Sequence, residues 1–415
     1  MRTTTRRSFL STTLGSTAVV SFGSSVPGMW LQAAARQQDK PADNVLVVVQ
    51  LSGGNDGLNT VIPYQDPLYR KHREQLAIGA DQVLKIDDQM GLHPSLAGFE
   101  QALQAESLAI VQGVGYPEPN RSHFESMDIW HTCRRKDQQR EDGWLGRYLD
   151  TTYGSPGRQG ASDAIPALHL GEEKQPLALR AEKTRVASVQ SLKQFRLAGG
   201  GLRELQEVIG KAREDHDVAT NPLLGFVQDS ARLALSATER LENATGKYKS
   251  KVKYPETPLA HKLAVTAQLI HSKLNTRIFY VTLDGFDTHA RQAAAHAALL
   301  SQLGSALQAF MEDLREHGNA DRVLTVCFSE FGRRVQENAS AGTDHGAAGP
   351  MFLLGPRVQA GLHGDHPDLE NLVQGDLQHT IDFRRVYATL LERWLACPSQ
   401  LILGEKYPPL PLIRS

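Results

Sequence analysis

An uninterrupted apolar run, Asn44 to Leu51 (NVLVVVQL), closed by Ser52-Gly53-Gly54, limits the folds open to this chain more than anything else in it. A run without polar alternation suits a strand buried on both faces, the condition of a parallel sheet covered by helices. Comparable runs recur at Leu108 to Val114, Arg277 to Leu283, Arg322 to Phe328 and Met351 to Leu354. Helical patterns fall between or after them, at Pro94 to Ala105, Ala290 to His317 and Asp382 to Ala396. Strands alternating with helices predict an α/β fold with a mostly parallel sheet between helices.

The stretch from Leu202 to Ser272 reads differently, being polar, charged and helical in period, with breaks at Asn221-Pro222 and again over Lys247 to Pro258. It is expected to form a helical insertion or cap. Ahead of the first strand, Thr5-Arg6-Arg7-Ser8-Phe9-Leu10 sets an arginine pair before a mildly apolar stretch ending at Ala33-Ala34-Ala35. That is the pattern of a twin-arginine signal peptide, cleaved after Ala35. Pro27 and many small polar residues dilute the stretch below what a stable membrane span requires. Residues 1–35 are thus expected to engage the twin-arginine translocase, leaving a domain over 44–415 in the periplasm or at the cell surface. No low-complexity linker divides that domain, and no internal repeat is visible.

The formal net charge is −1, and removal of Arg2, Arg6 and Arg7 with the leader only makes the remainder more acidic. Nucleic acid is therefore not an expected partner. Cys133, Cys327 and Cys397 are far apart and odd in number, with neither metal-finger nor redox spacing. Cys327, inside an apolar run, reads as a small core residue.

Four polar clusters stand just past predicted strand ends, where open α/β sheets place their ligands. They are Ser52-Gly53-Gly54-Asn55-Asp56-Gly57, Asn120-Arg121-Ser122-His123-Phe124, Asp284-Gly285-Phe286-Asp287-Thr288-His289, and Ser329-Glu330-Phe331-Gly332-Arg333-Arg334 with the following Gly342-Thr343-Asp344-His345-Gly346. Each has a plain structural reading: a tight turn for Gly-Gly-Asn-Asp-Gly, a helix N-cap for Asp287-Thr288-His289. The residues alone leave both readings open. The first cluster has neither the G-x-G-x-x-G spacing of a dinucleotide loop nor the Gly-Lys-Ser/Thr of a P-loop. Oxygen and imidazole donors gathered at strand ends suit a divalent metal such as zinc, manganese or iron. His93 and His123 read equally well as satisfied core or loop histidines.

In combination, LSGGNDGLNTVIP, RSHF, GWLGRYLD, DGFDTH, SEFGRR and GTDHG resemble the family known as domain of unknown function 1501, from about Asn44 to the C-terminus. The resemblance implies an alkaline-phosphatase-like core and, by superfamily, a metal-dependent hydrolase acting on a phosphate or related ester, borne by an anionic small molecule or polymer. It implies Asp56, with Asn55 as an alternative, Asp287, His289, Asp344 and His345 as metal ligands, Glu330 as a further ligand or supporting acid, Ser122 as nucleophile, and Arg121 as a phosphate clamp. The spacing of Asp287 and His289 departs from the superfamily pattern, leaving Asp284 as a substitute, and His363 is the only candidate for a last histidine ligand. No Cys/Ser-x-Pro-x-Arg sequence is present, which argues against a sulfatase. The other class of function open to such a chain is a non-catalytic exported binding or assembly protein with a degenerate metal site.

Overall fold

The computed structural model describes residues 43–154, 165–189, 248–272 and 275–414. The leader (residues 1–35) and positions 202–247 of the expected insertion lie outside them. Among the described residues there are twelve strands: β1 Val45–Ser52, β2 Val61–Ile62, β3 Leu84–Lys85, β4 Gly91–Leu92, β5 Leu108–Gly115, β6 Ala167–Leu170, β7 Ala187–Val189, β8 Ile278–Asp284, β9 Val323–Phe328, β10 Gly349–Leu354, β11 Gly361–His363 and β12 Ile381–Asp382. Nine of them form one sheet in the order β11-β5-β10-β9-β1-β8-β6-β7, with β12 also on β5, while β2, β4 and β3 form a small antiparallel sheet. Within the large sheet β1 lies parallel between β8 and β9, and only β10 runs antiparallel to its neighbours β5 and β9. A mostly parallel sheet between helices is thus what the apolar runs encode.

Alternation along β1 shows why the run must be apolar throughout. Val45, Val47, Val49 and Leu51 enter one core, and Leu46 and Val48 enter another on the opposite face. Helices α1 Ala97–Gln104, α4 Pro258–His271 and α5 Gln292–Glu316 cover the first face; α2 His123–Thr132, α3 Trp144–Tyr153 and α6 Phe383–Thr389 cover the second. Full burial of each such side chain contributes about 1.5–3 kcal/mol before the entropy of ordering is counted. The end of the expected insertion is corrected here: Leu259, Ala260, Leu263, Ala267, Leu269 and Ile270 of α4 are buried in the first core, so this helix is part of the layer on the sheet. Its polar face had masked an apolar stripe at helical spacing. Cys327 is a core residue, and all three cysteines are free and buried. Among the described residues no helix is long and apolar enough to cross a membrane.

Strand direction decides where chemistry can gather. β1, β8, β9 and β5 all end at one edge of the sheet, and β10, running the other way, begins there. The segments after the first four strands and the segment before the fifth therefore meet.

Candidate metal centre

The loops at that edge approach one another closely, and glycine permits it. Gly53 has φ +115°, and a Cβ there would lie 2.4 Å from the backbone nitrogen of Asp287; a Cβ on Gly342 would lie 2.2 Å from the carbonyl carbon of His289. Arg333, buried, ties the loops together by donating to the carbonyls of Gly53, Gly54, Phe286 and Thr343, and its Nη2 also donates to Asp287 Oδ1 at 2.7 Å. A five-donor planar fork suits this many-sided task.

Around Asp287 Oδ1 three imidazoles converge. The Nε2 atoms of His289 and His345 each lie 3.0 Å from it and that of His123 lies 3.4 Å away, with His289 Nε2 and His345 Nε2 2.9 Å apart. Each ring is held from behind at Nδ1: His123 by Glu330 Oε1 at 2.8 Å, His289 by Asp344 Oδ1 at 3.1 Å, and His345 by the carbonyl of Arg121 at 2.7 Å. All three partners are acceptors, so each Nδ1 carries the proton, and in the neutral rings each Nε2 presents a bare lone pair. Three lone pairs and a carboxylate oxygen thus face one another, which is repulsive unless something positive lies between them. One proton relieves one such contact. A divalent cation relieves all of them.

Two observations test the fit to a metal. His123 Nε2 is buried and has no hydrogen-bond partner among the described residues. The separations of Asp287 Oδ1 from the three Nε2 atoms and of His289 Nε2 from His345 Nε2, 2.9–3.4 Å, are also close to the roughly 3.3 Å separation of ligands on a tetrahedron with bonds of about 2.0–2.1 Å, and donor atoms of His123, Asp287 and His345 all lie within 4.8 Å of one another. Three imidazoles and a carboxylate are a donor set for zinc, manganese or iron. Rings fixed at the far nitrogen by carboxylates or a carbonyl are the usual outer support of such ligands.

Electrostatics favour an ionised Asp287. Partial burial raises the Asp287 carboxyl, but the hydrogen bond and the charge of Arg333 outweigh it and hold its pKa down at about 2. It is therefore anionic at neutral pH. The hydrogen bond to Glu330 raises the pKa of His123, against the opposing effect of burial. Glu330 itself is 1% exposed and accepts in addition from the Gly53 N–H at 2.9 Å.

Of the residues expected from sequence, Asp287, His289 and His345 meet at the centre. Glu330 and Asp344 stand one bond behind it, as supports of His123 and His289. Asp56 is corrected: it is buried and turned away, bound by Arg73 Nη1 at 2.6 Å and Nη2 at 3.0 Å and by the amide of Gln292. Burial raises its pKa, yet the charge and hydrogen bonds of Arg73 prevail and lower it. Both oxygens are engaged by donors, and Asp56 makes no contact with the three imidazoles. Asn55 is no substitute, because its Oδ1 accepts from Thr60 and His296. Asp284 is exposed at the end of β8 outside the cluster, and His363 on β11 bonds the carbonyl of Gln359.

Arg121 as a phosphate clamp is likewise corrected, since its guanidinium is held by Asp376, leaving only its carbonyl to serve the centre. Ser122 is the exposed N-cap residue of α2, and its hydroxyl makes no capping bond. His93 is a satisfied loop histidine that accepts at Nδ1 from the Ser95 N–H, and burial lowers its pKa to about 4. His123 and Arg333 were the residues that sequence reasoning left without a role. Both lie within the quoted motifs RSHF and SEFGRR, but their partners, Glu330 and the loop carbonyls, are distant along the chain.

The sequence profile of one family, described as a protein of unknown function (DUF1501), matches residues 43–404. The chain belongs to that family. No curated protein matches this DUF1501 member. Among solved structures, it is similar to the PsFucS1 sulfatase from Pseudoalteromonas sp., with 13% identity and a TM-score of 0.37 over 92% of this chain and 72% of that one. It is also similar to the alkaline phosphatase of the Antarctic bacterium TAB5, with 12% identity, a TM-score of 0.33, and 77% and 92% coverage. A third similar structure is a protein in the alkaline phosphatase superfamily from Vibrio parahaemolyticus, with 8% identity, a TM-score of 0.35, and 86% and 77% coverage.

Proposed function

We propose that this DUF1501 protein is a metal-dependent hydrolase of a phosphate or related ester, with one divalent cation held by His123, Asp287, His289 and His345. The observation that carries this reading is the set of three imidazoles committed at Nδ1 and bare at Nε2 around one anionic oxygen. When bound, the cation supplies Lewis-acid polarisation of an ester oxygen and a lowered pKa for a coordinated water or hydroxyl. Glu330, Asp344 and the Arg121 carbonyl keep the rings in the binding tautomer. Arg333 keeps Asp287 ionised and in place.

A groove of about 1400 Å³ runs from His123, Asp287 and Glu330 past Lys174 and Arg180. Those two side chains are exposed and form no ion pair among the described residues, so they supply the positive charge that Arg121 cannot. The size of the groove suits a substrate larger than a free phosphate ester, such as an anionic polymer. Ser122, next to His123 at the start of α2, is the hydroxyl assigned as nucleophile; water is its alternative.

Metal analysis of purified protein, combined with aryl phosphate turnover before and after chelation, tests the reading. Bound metal and activity that is lost on chelation and restored by metal support it. Full activity in chelator, or no uptake of added zinc, manganese or iron, overturns it. One observation favours a binding protein instead: Asp56 and Arg121, two groups expected to act in the site, are engaged in ion pairs. Metal without turnover on any ester, and without change in the Ser122→Ala variant, would decide for that reading. Export through the twin-arginine route is proposed from the Arg6-Arg7 leader alone, and cell fractionation of an Arg6→Lys, Arg7→Lys variant tests it.

A further inference from the structure

The carbonyl of Arg121, which holds His345 at Nδ1, lies in irregular chain between β5 and α2. A loop carbonyl points wherever its peptide plane points, and no strand or helix ladder fixes that plane here. Two side-chain contacts do so instead. The N–H of Ser122, at the other end of the same peptide unit, donates to Asn120 Oδ1 at 2.8 Å. The Arg121 guanidinium reaches across to the segment that links β11 to β12, where Nε donates to Asp376 Oδ2 at 2.9 Å and Nη2 donates to the same oxygen. Asn120 is a local support, whereas Asp376 is 255 positions from Arg121 and anchors the loop to another part of the fold. The Asp376 side chain is 3% exposed, and its residue closes a tight turn in which the N–H groups of Val373 and Asp376 each donate to the other's carbonyl at 3.0 Å. Gln374 and Gly375, at φ +55° and +83°, supply the two positive φ angles of a type I′ turn, so the backbone that bears the carboxylate has little freedom.

We propose that Asp376 is a positioning residue of the metal centre: by gripping the Arg121 side chain it aims the Arg121 carbonyl at His345 and keeps the Nε2 of that ring turned toward Asp287. The inference rests on the reading of the cluster as a metal centre. Asp376 acts only through Arg121, two hydrogen bonds behind the ring. Outer partners of this kind set the tautomer and orientation of a ligating imidazole, and their loss weakens metal binding without removing a ligand. A pair that served stability alone would lower the melting temperature and leave the centre as it was.

The test uses the full chain with Asp376→Asn and with Arg121→Leu, which keeps the carbonyl but frees it from the tether. Cobalt(II) is the probe: its visible absorption reports coordination geometry, and competition with a chelator gives affinity per folded molecule. Each variant is expected to bind cobalt about tenfold more weakly or worse, with an altered absorption band, and the double variant should be no worse than either single one. Glu125→Gln, which breaks the Arg140 pair on the same helix, should alter neither quantity. In the metal-free chain, imidazole nitrogen NMR should show His345 with its proton on Nδ1 in the parent and a mixture of tautomers in both variants. That readout needs no metal. If the parent takes up no cobalt, the metal reading falls, and the tautomer alone decides whether Asp376 positions His345. Unchanged cobalt affinity and absorption in a folded variant, an unchanged His345 tautomer, or an equal effect of Glu125→Gln overturns the proposal.

Discussion

Two carboxylates at the same edge of the sheet, Asp56 and Asp287, have opposite surroundings. Asp56 is enclosed by donors: a two-pronged guanidinium from Arg73 and the amide of Gln292. Asp287 has one guanidinium contact and three imidazole nitrogens whose protons sit on the far side of the ring. The first oxygen pair is engaged by donors, and the second faces the group of lone pairs on which the proposed metal centre rests. What separates a structural acid from a metal ligand is therefore neither its strand-end position nor its sequence motif. It is the count of donors and acceptors around it.

The sharpest way to break this contrast is to neutralise each acid in turn. Asp56→Asn leaves the Arg73 charge buried without its partner, both side chains being at most 1% exposed. A loss of about 3–5 kcal/mol in folding stability by chemical denaturation is expected, with metal content per folded molecule unchanged. Asp287→Asn should do the reverse. In chelator its stability should stay near that of the parent chain, while metal affinity falls beyond the ~100-fold typical of lost outer supports. The parent should gain about 2.7 kcal/mol with free metal at a hundredfold excess over its dissociation constant, and the variant should gain almost nothing. Equal losses of stability in the two variants under chelation would erase the distinction.

A finer test lies one bond behind the metal ligands. Asp344→Asn retains an oxygen that can accept from His289 Nδ1, so the fold and a cooperative transition should survive. Metal affinity and any phosphoesterase activity should fall by about tenfold, measured by competition with a chelating dye and by turnover. Unchanged values for both would remove Asp344 from the centre altogether.

The smallest effect expected concerns His131, a buried histidine in a neutral setting. Its Nε2 faces Gln50 Oε1 and the Tyr280 hydroxyl, each at 3.1 Å, and burial depresses its pKa to about 3. Its ordinary value is 6.5, so below pH 6.5 the unfolded chain takes up a proton that the folded chain refuses. Stability is then full above that pH and declines as pH falls toward about 3, by at most ~1.4 kcal/mol per pH unit. Thermal melts of the parent and of His131→Asn between pH 7.5 and 6, where the loss stays below about 1 kcal/mol, check this, with a flatter profile expected for the variant.

The sheet was legible because a strand buried on both faces admits almost no polar residue, and β1, β5, β8, β9 and β10 all show it. The antiparallel run of β10 was not, since direction is set by how the chain returns to the sheet and leaves no mark on the strand itself. That run brings His345 to the ends of β1, β8 and β9. Asp287, His289 and His345 could be singled out from strand-end clusters. His123 could not, because the partner that orients its ring, Glu330, lies 207 positions away and leaves no mark near it in the sequence. Asp56 misled for the same reason: nothing near it in sequence distinguishes Arg73 as its partner.

The ordering of the chain has a consequence for the timing of assembly. The Arg121 carbonyl and the His345 ring that it fixes are 224 positions apart. At about 5–20 residues per second, a ribosome takes roughly 10–45 s to cover that distance. For most of this interval His123 exists without Asp287 and His289, and β1 has neither of its neighbours to dock against until β8, ending at Asp284, has been made. On the proposed reading the four-ligand centre is therefore complete only after His345 has been made, and full loading follows synthesis of that last ligand.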